Sequence, residues 1–228
     1  MAEQVLPLVC WLLVVAAAAS ARPVSAWSRR YVAERVPGQE VRRHWPVSSA
    51  FLVALVGALG AVVVVLAQRL GGWVPLATTA VGLPVMTLLL AAGCVDASCH
   101  RLPNYLLGWA ALVALAGTVA LAVARGEWVR LATMLGGTLL ALVVTFLLSL
   151  VGSGMGEGDV KLMGVVGLWL GGYHLLTPLV ACMAGFLCCA PVLVIGLATR
   201  RISMRSMIPL GPALVAGSLI VRVATLPG

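Results

Sequence analysis

The chain has 228 residues, 62% of them hydrophobic and only 10% charged, with a formal net charge of +8 and a mean hydropathy of +1.10. Soluble domains run near about 45–50% apolar and about 25% charged, so a soluble fold is excluded and an all-α, polytopic membrane bundle is expected. Only one of the fifteen basic residues is a lysine, Lys161; the arginines fall in inter-helix loops, which points to anionic lipid headgroups and away from nucleic acid.

The amino terminus, Met1-Ala2-Glu3-Gln4, lacks a positive n-region, so the apolar run over 5–21 reads as a retained membrane helix and not as a cleaved signal. Runs of about 17–25 apolar residues cross a bilayer core. Seven more follow, at 48–67, 74–95, 104–124, 129–151, 160–176, 178–199 and 209–226. The 160–199 stretch is the hardest to divide, with Gly171-Gly172-Tyr173-His174 and Pro178 as its turn signals. Between the first two runs, Pro23, Pro37, Gly38 and Pro46 argue against one continuous helix over 22–47. Two of the eight runs and a basic loop thus fall in 1–73, and the other six runs fall in 74–228.

With about eight spans, one side of the membrane collects eleven basic residues: six in 22–47, Arg101, Lys161, and Arg200, Arg201 and Arg205. Arg69, Arg125, Arg130 and Arg222 remain for the other. The positive-inside rule makes the richer side cytoplasmic, with both termini outside. Heavy Ala, Val, Leu and Arg usage fits a GC-rich bacterial genome, hence a bacterial cytoplasmic membrane.

The sequence holds two aspartates, Asp96 and Asp159, each where an apolar run meets a short polar loop. The topology puts both on the cytoplasmic side. A carboxylate at membrane depth is expensive unless paired or used. Two carboxyls close together share one proton, so one can activate water while the other protonates a carbonyl oxygen. Glycines at 152, 154, 156 and 158 suit unusual dihedrals or close approach of a substrate chain. Pro103 is placed to occupy the first helical position after Asp96. His100, four residues after Asp96, reads as a loop residue beside Arg101, and His174 lies near the outer surface, far from this chemistry. The seven tryptophans read mostly as an interfacial belt. None of the six cysteines forms a Cys-x-x-Cys pair, and no His or Cys cluster has zinc spacing, so no metal or cofactor is expected.

Three segments together carry a resemblance: Asp96-Ala-Ser-Cys-His-Arg-Leu-Pro103-Asn104, Gly156-Glu-Gly158-Asp159-Val-Lys161-Leu, and Ile208-Pro209-Leu-Gly211-Pro212. In this order they resemble the type IV prepilin peptidases, members of the wider Gly-x-Gly-Asp group of intramembrane aspartic proteases, over about 74–228. The resemblance implies Asp96 and Asp159 as catalytic pair and Gly156, Gly158, Lys161, Pro103, Asn104, Pro209, Gly211 and Pro212 as motif support. It also implies a prepilin-like membrane protein as substrate, cut at the cytoplasmic face between leader and hydrophobic helix. Many members carry two Cys-x-x-Cys pairs near the N-terminus and methylate the new amino terminus. Residues 22–47 contain no cysteine, which is similar to the compact, peptidase-only forms associated with tight-adherence pili.

Two other functions use buried carboxylates in membrane helices. An ion-coupled transporter would use carboxylates near the bilayer midplane within broken helices, whereas both aspartates here fall at one interface. A presenilin-like protease shares Gly-x-Gly-Asp without the other two segments.

Asp96 near a helix C-terminus and Asp159 at a helix N-terminus feel opposite dipole ends, which favours Asp159 as the ionised member.

Overall fold

The computed structural model describes residues 2–35, 48–70, 73–151, 155–199 and 209–225. It is all-α: α1 (Ala2–Arg35), α2 (Ser49–Leu70), α3 (Trp73–Cys99), α4 (Asn104–Arg125), α5 (Trp128–Leu150), α6 (Glu157–Leu170), α7 (Thr177–Ala198) and α8 (Gly211–Ala224). Six of these, α1 to α5 and α7, are long and apolar enough to cross a membrane, so this is a multi-pass membrane protein. The helices α6 and α8 have 14 residues each. The run expected over 160–176 is therefore helical only to Leu170, and residues 171–176 form turns before α7 opens with Pro178 in its first turn.

The first helix departs most from expectation. It runs through Pro7 and Pro23 to Arg35, so the first fourteen residues of the expected loop are helical; the remainder, with Pro37, Gly38 and Pro46, lies outside the described residues. Proline costs a helix a hydrogen bond and a clash, but tertiary packing outweighs that here. Ala21, Ser25, Ser28 and Val32, spaced along one face, are all buried against α2 and α3. The Ser25 and Ser28 hydroxyls donate back to the Arg22 and Val24 carbonyls, while Arg22, Arg29 and Arg30 stay exposed.

The centre of the bundle is α6, ringed by α4, α5, α7 and α8, with Leu162, Met163, Val166 and Leu170 fully buried. Helices in lipid gain little from hydrophobic contrast and associate where small residues let backbones approach. The α7–α8 crossing shows it: a Cβ at Gly217 would run into the Gly185 backbone, and one at Gly185 would lie 2.9 Å from Leu214 Cα. This tight crossing fixes α8 against the bundle and so positions its N-terminus.

Candidate active site

One end of the bundle gathers the C-terminal half of α1, the end of α3 and the starts of α4, α6 and α8. A cavity of about 500 Å³ opens there, lined among others by Asp96, His100, Asn104, Gly156, Asp159 and Lys161. The two aspartates reach it from different helices and lie within electrostatic reach of each other. Both are buried, at 6% and 8% exposure.

Asp96 occupies the last turn of α3, which continues only to Cys99 because His100 turns left-handed at φ 53°. The His100 N–H closes the helix end on the Asp96 carbonyl at 2.8 Å, so His100 is the loop residue expected, yet it lines the cavity. The Asp96 side chain points at another helix. Its Oδ2 accepts the Gly211 N–H at 3.1 Å, and Gly211 is the first residue of α8. A Cβ at position 211 would stand 2.6 Å from that same oxygen, so only glycine brings the amide this close.

Asp159 is the third residue of α6, and its Oδ2 accepts the Gly156 N–H at 2.9 Å. This is the reciprocal half of a capping box, in which a side chain at the third helical position satisfies the N-cap amide. Burial pushes the Asp159 carboxyl above the ordinary carboxylate range, and the Gly156 N–H pulls it back in part. Gly156 is extended at φ −94°, ψ 170°, so it meets no dihedral requirement. Gly158 is small for packing: a Cβ there would press on Leu102 at 3.2 Å. Gly152 and Gly154 lie outside the described residues.

Each carboxylate is thus held by one backbone N–H at a helix start. The dipole asymmetry inferred from sequence is offset, because the N-terminus of α8 abuts Asp96 and opposes the C-terminal end of α3.

Lys161 crosses from α6 to α4, its Nζ donating to Asn104 Oδ1 at 3.5 Å. Pro103 is the N-cap of α4 (φ −75°, ψ 116°), one residue earlier than expected. It is buried and does not line the cavity. Pro209 also lies outside the lining, whereas Pro212 lines a neighbouring apolar groove of about 450 Å³ together with Gly93, Cys94 and Ala97. No group of three or more His, Cys, Asp or Glu side chains able to hold a metal occurs among the described residues.

Sequence reasoning missed Tyr31, which lines the cavity from α1. Trp27 stacks on it at 5.1 Å and meets Tyr105 of α4 at 5.5 Å. The helical spacing of Ala21, Ser25, Ser28 and Val32 was the available signal, masked by Pro23.

Residues 83–197 match the family model of the type IV leader peptidase family. The chain belongs to that family. No curated protein and no solved structure matches it. The matched stretch, half of the chain, includes the loop after Asp96 and the Gly156–Lys161 segment, and ends before Pro209. This family member is accordingly a membrane peptidase, a hydrolase carried on membrane-spanning helices.

Proposed function

We propose that the peptidase is an aspartic endopeptidase using Asp96 and Asp159 as its catalytic pair, with the core at 74–228 carrying the chemistry. The observation that supports this reading most is the meeting of these two buried carboxyls, from α3 and α6, in one polar cavity. Held that way, they share a single proton. The ionised carboxylate takes a proton from water as that water attacks the scissile carbonyl carbon, and the neutral carboxyl gives its proton to the carbonyl oxygen. Collapse of the tetrahedral intermediate, with proton return to the departing nitrogen, releases the new amino terminus. No cofactor or metal enters these steps.

The substrate is a prepilin-like precursor of type IV or tight-adherence type, cut at the cytoplasmic face of a bacterial inner membrane. The side follows from the sequence, whose expected topology puts eleven of the fifteen basic residues on the side of the two aspartates, where they also meet anionic lipid headgroups. Incubating the purified, reconstituted peptidase with a prepilin-like precursor tests the proposal. The expected result is loss of the leader, read by mass spectrometry; an intact precursor beside an active control peptidase overturns it.

A further inference from the structure

The helices α1 and α4 both reach the catalytic cavity, through Tyr31 and Asn104. Among the described residues α1 packs along α2 and α3, and α4 along α3, α5 and α6, but the two do not pack along each other. Aromatic rings bridge the seam between them. Trp27 of α1 stacks on Tyr31 and meets Tyr105 of α4 at 5.5 Å, and Tyr105 meets Trp109 edge-on at 6.3 Å. The rings thus run in contact from the cavity wall to the outer face of α4, where Tyr105 is 60% and Trp109 48% exposed.

Leu112, 54% exposed, continues that face away from the cavity at helical spacing. Gly108 lies between the rings of Tyr105 and Trp109 in the chain, and a Cβ there would meet nothing within 4 Å. Such an open small residue lets a second helix backbone come close, which is what helix association in lipid relies on.

An interfacial belt also places rings at this depth, but belt residues face headgroups singly and need not touch. Here two of the three tyrosines and two of the seven tryptophans form one connected row, and the row ends on the cavity that holds both aspartates. The apolar groove between α2, α3 and α8 is the rival surface, and neither aspartate lines it.

The occupant follows from the proposed reaction, on which this inference rests. The bond to be cut adjoins a hydrophobic helix, and a polar cavity does not admit that helix. While the bond lies between the carboxyls, the helix stands in lipid beside the bundle, within reach of the short stretch of chain that joins them. We propose that Tyr31, Trp27, Tyr105 and Trp109, with Gly108 and Leu112, form the docking face for the precursor's hydrophobic helix, the rings being the sill over which the scissile segment turns into the cavity.

Photo-crosslinking in the whole, membrane-reconstituted peptidase tests this. Benzoylphenylalanine replaces Trp109 or Leu112 on the face, Ile220 in the rival groove, or Phe146 on α5, the last two being 55% and 54% exposed. Each is built into Asp159→Asn, so that a prepilin-like precursor stays whole. Adducts from the Trp109 and Leu112 positions should map to the precursor's hydrophobic helix and exceed the yield from the Phe146 position about fivefold. Precursor adducts no stronger than at Phe146, adducts to lipid alone, or a maximum at Ile220 overturn the proposal. Cleavage by the parent and its loss in Asp159→Asn report on the dyad separately: if that variant still cuts, the adduct is read on the pilin product, which keeps the same helix.

Discussion

Gly211 and Asp96 stand 115 residues apart in the chain, and the N–H of the first donates to the carboxylate of the second at 3.1 Å. The space between them has no room for a methyl group. Gly211→Ala should therefore displace the Asp96 carboxyl and lower kcat about 10²-fold, the scale of a misplaced catalytic group. KM and membrane insertion should change little. Wild-type turnover by this variant would show that the contact does not position the acid.

Asp96→Asn and Asp159→Asn should each reduce precursor cleavage by at least roughly 10³-fold, since acid and base roles need both carboxyls. Each variant should still insert and fold, because asparagine keeps an oxygen to accept the Gly211 or Gly156 N–H. Normal processing by either purified variant sinks the dyad.

Asp159→Asn should also be more stable than the parent at neutral pH. The carboxyl is raised by burial, so the folded parent holds its proton more tightly than the unfolded chain does. Its stability then falls as pH rises from the unfolded value near about 3.9 through the higher folded value, and the amide variant escapes that loss. The Tm difference should grow across that window and level off above it. A constant difference from pH 3.5 to 8 would contradict the assignment.

Cleavage should survive EDTA and serine-directed reagents, because the proposed chemistry runs through two carboxyls and water. A loss with EDTA that zinc restores would return Cys94, Cys99 and His100 to contention.

Pilin processed by this enzyme alone should keep an unmethylated amino terminus, given that 22–47 contains no cysteine. Mass spectrometry of a reaction supplied with a methyl donor decides the matter, and an added methyl group overturns it.

Hydropathy located the helices because lipid demands long apolar runs, and the two aspartates stood out because so few acids interrupt them. Other features were hidden for physical reasons. Pro23 masked the continuation of α1, whose buried face outweighs a local backbone penalty, and with it the approach of Tyr31 to the cavity. The dipole argument for Asp96 used only its own helix, while the amide that bonds it belongs to α8, a neighbour that no local pattern reveals. Trp169 read as an interfacial residue, yet it is 3% exposed and faces an inner cavity.

The shortness of α6 bears on how a hydrolase obtains water inside a lipid phase. Fourteen residues rise only about 21 Å, against a hydrocarbon core of about 30 Å. A short helix facing lipid would make the bilayer thin around it, but α6 is enclosed by four other helices. The shortfall of about 9 Å is therefore taken up inside the protein, shared between the turns that follow Leu170 and the Gly156–Asp159 segment that begins the helix. The polar cavity that holds Asp96 and Asp159 lies at that latter end, so in the proposed reaction it is also the reservoir from which the attacking water is drawn.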